Sequence, residues 1–171
     1  MYLPRYRALA GYNRWANERL YDAAAQLEDA QYRMDRGAFF GSVHGTLNHL
    51  LVADRIWMRR FTGIGEVFPL DAIVCDRLDD LRAARTAEDA RIVSFIERLD
   101  DEGLTRAIAY SNSAGRQFRQ PLDSALDHFF NHQTHHRGQA HALLSYFLGN
   151  AATPSLDLIA FQRLPGGAAA G

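Results

Sequence analysis

Between Leu3 and about Gln26 the apolar residues Leu9, Tyr12, Ala16, Leu20 and Ala23 recur at intervals of three and four, the period of an amphipathic helix with one buried face. A linker with a short helical turn follows. Ser42 then suits the N-cap of a second helix running to about Thr62, because its hydroxyl can accept a hydrogen bond from an unpaired first-turn amide, and Gly63 suits the left-handed position just past the end. This helix carries Leu47, Leu50, Asp54, Trp57 and Phe61 in one sector. After a loop with Gly63 and Pro69, Leu81, Ile92, Phe95 and Ile96 mark a third helix over about Leu78 to Leu99, ending near Gly103. The period then changes. Ile108, Tyr110 and Phe118 flank Ser111-Asn112-Ser113-Ala114-Gly115, which predicts a small β-hairpin. Pro121 suits the first turn of a last helix that reaches Leu148 before Gly149 and is about 40 Å long at 1.5 Å per residue.

Four long helices with loops too long for a simple hairpin series predict an all-α four-helix bundle with a crossover connection. One domain is expected over residues 1–164, with a disordered Gly/Ala tail at 165–171. The 171 residues suffice to bury a continuous core without disulfides, and 47% hydrophobic with 23% charged residues is the balance of a globular chain. Nineteen basic against 20 acidic side chains lack the footprint of a nucleic-acid binder, and Arg59-Arg60 does not extend into a basic stripe. No apolar run approaches the roughly 18 residues of a transmembrane helix, and the first residues do not resemble a secretory signal. A single cysteine, Cys75, has no partner for an internal disulfide and reads as a packing residue. These features make the cytoplasm the expected location, with neither nucleic acid nor membrane as partner.

Histidine is the count that departs from the ordinary: there are seven, and five lie between His128 and His141. On the last helix His136 falls about 40° from His132, inside the stripe that includes Ala125, Phe129, Ala140, Leu143 and Phe147. A lone histidine on such a face usually finds ordinary hydrogen-bond partners. Two imidazoles one turn apart and facing the same volume can instead share one cation, as in helical zinc motifs. His132-Gln133-Thr134-His135-His136 has no glutamate after its first histidine, so a metalloprotease base is absent. His49, at the edge of the apolar sector of the second helix, is the best third ligand. His128, one turn before His132, and Gln139 could face substrate or orient a ligand. Asp54 could accept from an imidazole or tie its helix to an Arg or Tyr. His44, His135 and His141 fall on other flanks and read as solvated.

Tyr12-Asn13-Arg14-Trp15-Ala16-Asn17, the run from Leu47 to Trp57, and Asn131-His132-Gln133-Thr134-His135-His136-Arg137-Gly138-Gln139 resemble the signature segments of the DinB family, with a fourth match at Pro154 to Ile159. The resemblance spans nearly the whole chain. It implies a bundle of up-down-down-up topology, a metal site on His49, His132 and His136, and a homodimer. The related superfamily includes metal-dependent transferases and isomerases that use low-molecular-weight thiols such as bacillithiol and mycothiol. Three neutral imidazoles leave a coordination position open, the arrangement of a catalytic rather than a closed metal site. The expected activity is therefore transfer of a zinc- or nickel-activated thiol to an electrophilic small molecule. A hydrolase using metal-bound water and a non-catalytic metal-binding stress protein are the alternatives.

Overall fold

The computed structural model describes residues 2–112 and 114–165; the tail expected to be disordered lies, from residue 166 on, outside the described residues. The chain forms α1 (Leu3–Ala24), α2 (Asp29–Arg33), α3 (Val43–Thr62), α4 (Leu78–Glu97), α5 (Asp101–Thr105), β1 (Ala107–Ser111), β2 (Gln117–Pro121), α6 (Leu122–Leu148) and α7 (Leu158–Gln162). The predicted helix ends hold where a cap specifies them. Ser42 accepts from the Gly45 amide at 3.0 Å, and Gly63 closes α3 at φ 76°. Where no cap marks the end, α1 and α4 stop two residues earlier than their patterns suggest. The hairpin is antiparallel, with Ile108 opposite Gln120 and Tyr110 opposite Phe118. Short α5 and α7 are additional to the expected elements, and Phe161 of α7 packs against Tyr12 and Trp15.

Contacts between the long helices fix their directions. Tyr6 donates to Asp123 and Asp127 near the start of α6, while Asn13 meets Arg137 farther along, so α1 and α6 run parallel. Asn17 reaches Asp89 and Asp22 reaches Arg82, so α4 runs against α1. Phe61 meets Phe129 and His49 meets His136, so α3 runs against α6. Asp54 meets Arg85 and Phe61 meets Phe95, so α3 and α4 run together. The order is thus up-down-down-up. Two consecutive parallel helices require the chain to return along about 30 Å of α3, and the segment 63–77 makes that crossover.

The interior is apolar at both ends and polar across the middle. One cluster gathers Tyr6, Ala10, Trp57, Phe61, Ile92, Phe95, Leu126 and Phe129; the other gathers Leu20, Leu47, Leu51, Leu81, Ala140 and Leu144. Between them along their own helices lie buried Asn13, Asn17, Asp54, Arg85, Asp89, Gln133 and Arg137. A buried polar layer must find partners within the protein or from a ligand.

Candidate metal centre

His49 on α3 and His132 and His136 on antiparallel α6 meet at this middle level, where one nitrogen of each ring lies within 4.8 Å of the others. Ring centroids are 4.5 Å apart for His49 and His136, 4.3 Å for His132 and His136, and 5.5 Å for His49 and His132. The sequence-derived trio is therefore brought together as one group.

Hydrogen bonds at the outer nitrogens set the tautomers of His49 and His136. His49 Nδ1 lies 2.8 Å from the Leu70 carbonyl, which can only accept; the proton sits on Nδ1 and the Nε2 lone pair points inward. His136 Nδ1 lies 2.8 Å from Gln139 Oε1, and the same amide directs its nitrogen to His135 Nε2 at 3.2 Å. The amide thus presents oxygen to His136 and leaves that ring's Nε2 free as well. Burial pulls the His49 imidazole down to about 4, opposed by the Leu70 hydrogen bond. Burial together with the surrounding imidazoles pulls His132 down to about 3, and His136 also falls. All three rings are consequently neutral near pH 7, the form that ligates a metal.

His49 Nε2 is buried and has no hydrogen-bond partner among the described residues. Such an atom carries a desolvation cost of about 1–3 kcal/mol unless something meets it. A divalent cation placed between the three lone pairs meets it and the other two rings at once, and imidazole suits zinc and nickel alike. The residues present therefore fit a metal ion.

Two loops complete the site. Phe40 stacks on the His49 ring at 3.7 Å and meets His136 edge-on at 5.6 Å. Its carbonyl lies so close to Gly45 that an added Cβ would stand 2.1 Å from the oxygen, so only glycine lets the loop seat against α3. The crossover supplies the Leu70 carbonyl. Neither contribution was legible beforehand: a backbone carbonyl has no sequence signal, although Phe39-Phe40 between Gly37 and Gly41 is a visible aromatic turn.

The remaining candidates separate. Gln139 accepts from His136 Nδ1 and so holds that ring, one of the roles left open for it. His128 is exposed overall but lays its ring on Trp57 at 5.0 Å and lies 5.8 Å from His132; the partial burial of the ring, then Arg60, lower its pKa. Asp54 is not brought to the imidazoles. It is fully buried, 2.7 Å from Arg85, and so takes the helix-tying alternative. His44 is buried rather than solvated, because its Nε2 reaches the Cys75 carbonyl at 3.2 Å while its ring packs against Tyr32. His141 reaches the Pro154 carbonyl at 3.0 Å, and His135 is exposed.

The family model described as the DinB family matches residues 1–163. The chain is also 24% identical over 153 residues to Protein DinB of Bacillus subtilis (strain 168), covering 84% of this chain and 86% of that protein.

Proposed function

We propose that this chain, which belongs to the DinB family, binds one zinc or nickel ion through His49, His132 and His136 and transfers a low-molecular-weight thiol to an electrophilic small molecule. The observation that carries the reading is the buried, unpartnered Nε2 of His49 facing two further neutral imidazoles. Held by His49, His132 and His136, a divalent ion would keep a position open and would lower the pKa of a thiol bound there.

The chain's own groups support that task. The Leu70 carbonyl and Gln139 hold the outer protons of two rings, which keeps the inner lone pairs directed at one point. Phe40 covers one face of His49 and excludes water from it. The group of potential ligands among the described residues is three neutral imidazoles, which leaves a bound divalent ion its full charge to attract a thiolate. We place the protein in the cytoplasm and, as the family resemblance implies, as a homodimer; no helix among the described residues is long and apolar enough to cross a membrane.

His128 favours a second reading. A neutral imidazole one turn from His132 is placed to take a proton from a water molecule, as a metal-dependent hydrolase requires. Elemental analysis of untagged protein and of the three single alanine variants tests the metal site: about one metal per chain in wild type and none in the variants is expected. Incubation of the loaded protein with a panel of labelled thiols and electrophiles then separates the activities. Conjugate formation supports transfer, hydrolysis without thiol supports the second reading, and metal uptake with neither reaction supports a sequestering or sensing protein.

A further inference from the structure

A cavity of about 430 Å³ opens between the C-terminal half of α3, the crossover and the hairpin, lined by Ile56, Arg59, Arg60, Leu70 and Tyr110 among others. Arg60 is its chemical feature. The guanidinium is half-buried, lies 4.5 Å over the Trp57 ring and 4.8 Å over the Tyr110 ring, and makes one long hydrogen bond of 3.4 Å to the Ser111 carbonyl. No carboxylate among the described residues pairs with it, although Arg33, Arg55, Arg77, Arg82, Arg85 and Arg91 each have one. Two aromatic faces hold the guanidinium plane while leaving its edge donors largely unspent. This geometry presents a fork to a planar or tetrahedral anion. Glu66 is the one acidic side chain in the lining, against Arg59 and Arg60, so the cavity carries a net positive charge.

The cavity adjoins the residues that hold the histidine cluster. Arg60 lies eleven positions after His49, about 20° away around the helix and about 16 Å along it, with Ile56 between them on the same face. Leu70 belongs to both places: it lines the cavity and its carbonyl holds His49. Trp57 carries Arg60 and also touches His128, the neighbour of His132.

We propose that Arg60 receives the anionic terminus, carboxylate or phosphate, of an elongated small molecule whose other end reaches the three histidines. The length assignment rests on the metal reading above; the anion site at Arg60 does not. The two are tested apart by calorimetric titration of the full chain, metal-free and zinc-loaded, with pentanoate, pentyl phosphate and pentanol, following the Arg60 side-chain N–H resonance by NMR. Wild type in either state is expected to prefer an anion over the alcohol by about tenfold, with the resonance shifting on binding. Arg60→Gln should abolish the preference, and Arg60→Lys, which keeps charge but not the fork, should restore it in part.

Carboxylate and phosphate are separated by which probe binds more tightly. An equal affinity for all three probes, or a preference that survives in a folded Arg60→Gln protein, overturns the proposal. A mercaptoalkanoate of about ten carbons, long enough for the helix distance above, tests the span on cobalt-loaded protein. Its thiolate-to-cobalt absorption should appear at lower concentration than that of the matching mercaptoalcohol, and Arg60→Gln should remove the difference. Equal half-saturation overturns the span. Absence of the absorption with every thiol overturns thiol binding at the metal and the span with it, and leaves the anion preference to be judged by the calorimetry.

Discussion

Two polar groups share the middle of the bundle and solve burial in opposite ways. On the side where α1, α3 and α4 meet, Asp54 and Asp89 both contact Arg85, Asp89 accepts from Asn13 and Asn17, and Asn13 accepts from Arg137. Charges of both signs come from the protein itself and meet as ion pairs, although the Asp54 oxygens and Arg85 nitrogens make no well-directed hydrogen bond among the described residues. Between α3 and α6, by contrast, three neutral rings are gathered, and the protein satisfies the outer protons of His49 and His136. The first group neutralises its charges internally and reads as architecture. The second is completed only by something that accepts lone pairs, which is why it reads as a site.

The sharpest break of this contrast is Arg85→Met. Removing the cation leaves Asp54 and Asp89 buried without it, and a loss of about 3–5 kcal/mol is expected in urea unfolding. A loss under about 1 kcal/mol, the range of exposed ion pairs, would mean the network is not neutralised by Arg85. Next, His49→Ala should eliminate metal uptake while leaving the metal-free helical signal intact. At zinc a hundredfold above its Kd the wild type should gain about 2.7 kcal/mol, a gain the variant lacks. Gln139→Leu should act more mildly, weakening metal affinity by about 10–100-fold through a misoriented His136. Retention of wild-type affinity would show that Gln139 merely packs there.

The two groups also differ in the sign of their pH dependence, measured on metal-free protein. The unfolded chain protonates His132 near its ordinary value of 6.5, the folded chain only near 3. Between those limits wild type therefore loses stability relative to His132→Asn as pH falls. Burial pushes Asp54 up to about 7 against the pull of Arg85. The folded chain then holds a proton that the unfolded chain has released, so relative to Asp54→Asn wild type gains stability as pH falls from about 7 toward about 4. Slopes of the same sign for the two comparisons would remove the distinction.

Much of the helix layout was readable because its causes are local. Ser42 and Gly63 bracket α3 through bonds to residues three or four away, and the change of period at Ile108 and Tyr110 marks the hairpin. His132 and His136 converge through helix geometry alone. His44 and Asp54 show the limit of the same reasoning: angular position on a helix says which sector a side chain occupies but not which partner waits there. Cys75 and Arg85, distant in sequence, supplied those partners. Nothing in the pattern of residues 29–41 or 63–77 announced that one loop would lay Phe40 on His49 and the other would offer it the Leu70 carbonyl.

Periodicity, caps and the spacing of two histidines thus settle which segments are helices and which faces turn inward, since these depend on neighbours within a turn or two. Direction, pairing and chemistry at the middle of the bundle were settled by assembly. The parallel run of α3 and α4 forces the crossover over α3, and the crossover fixes the tautomer of His49 and walls the cavity at Arg60. Those contacts join residues far apart in the chain, and only packing in three dimensions can select them.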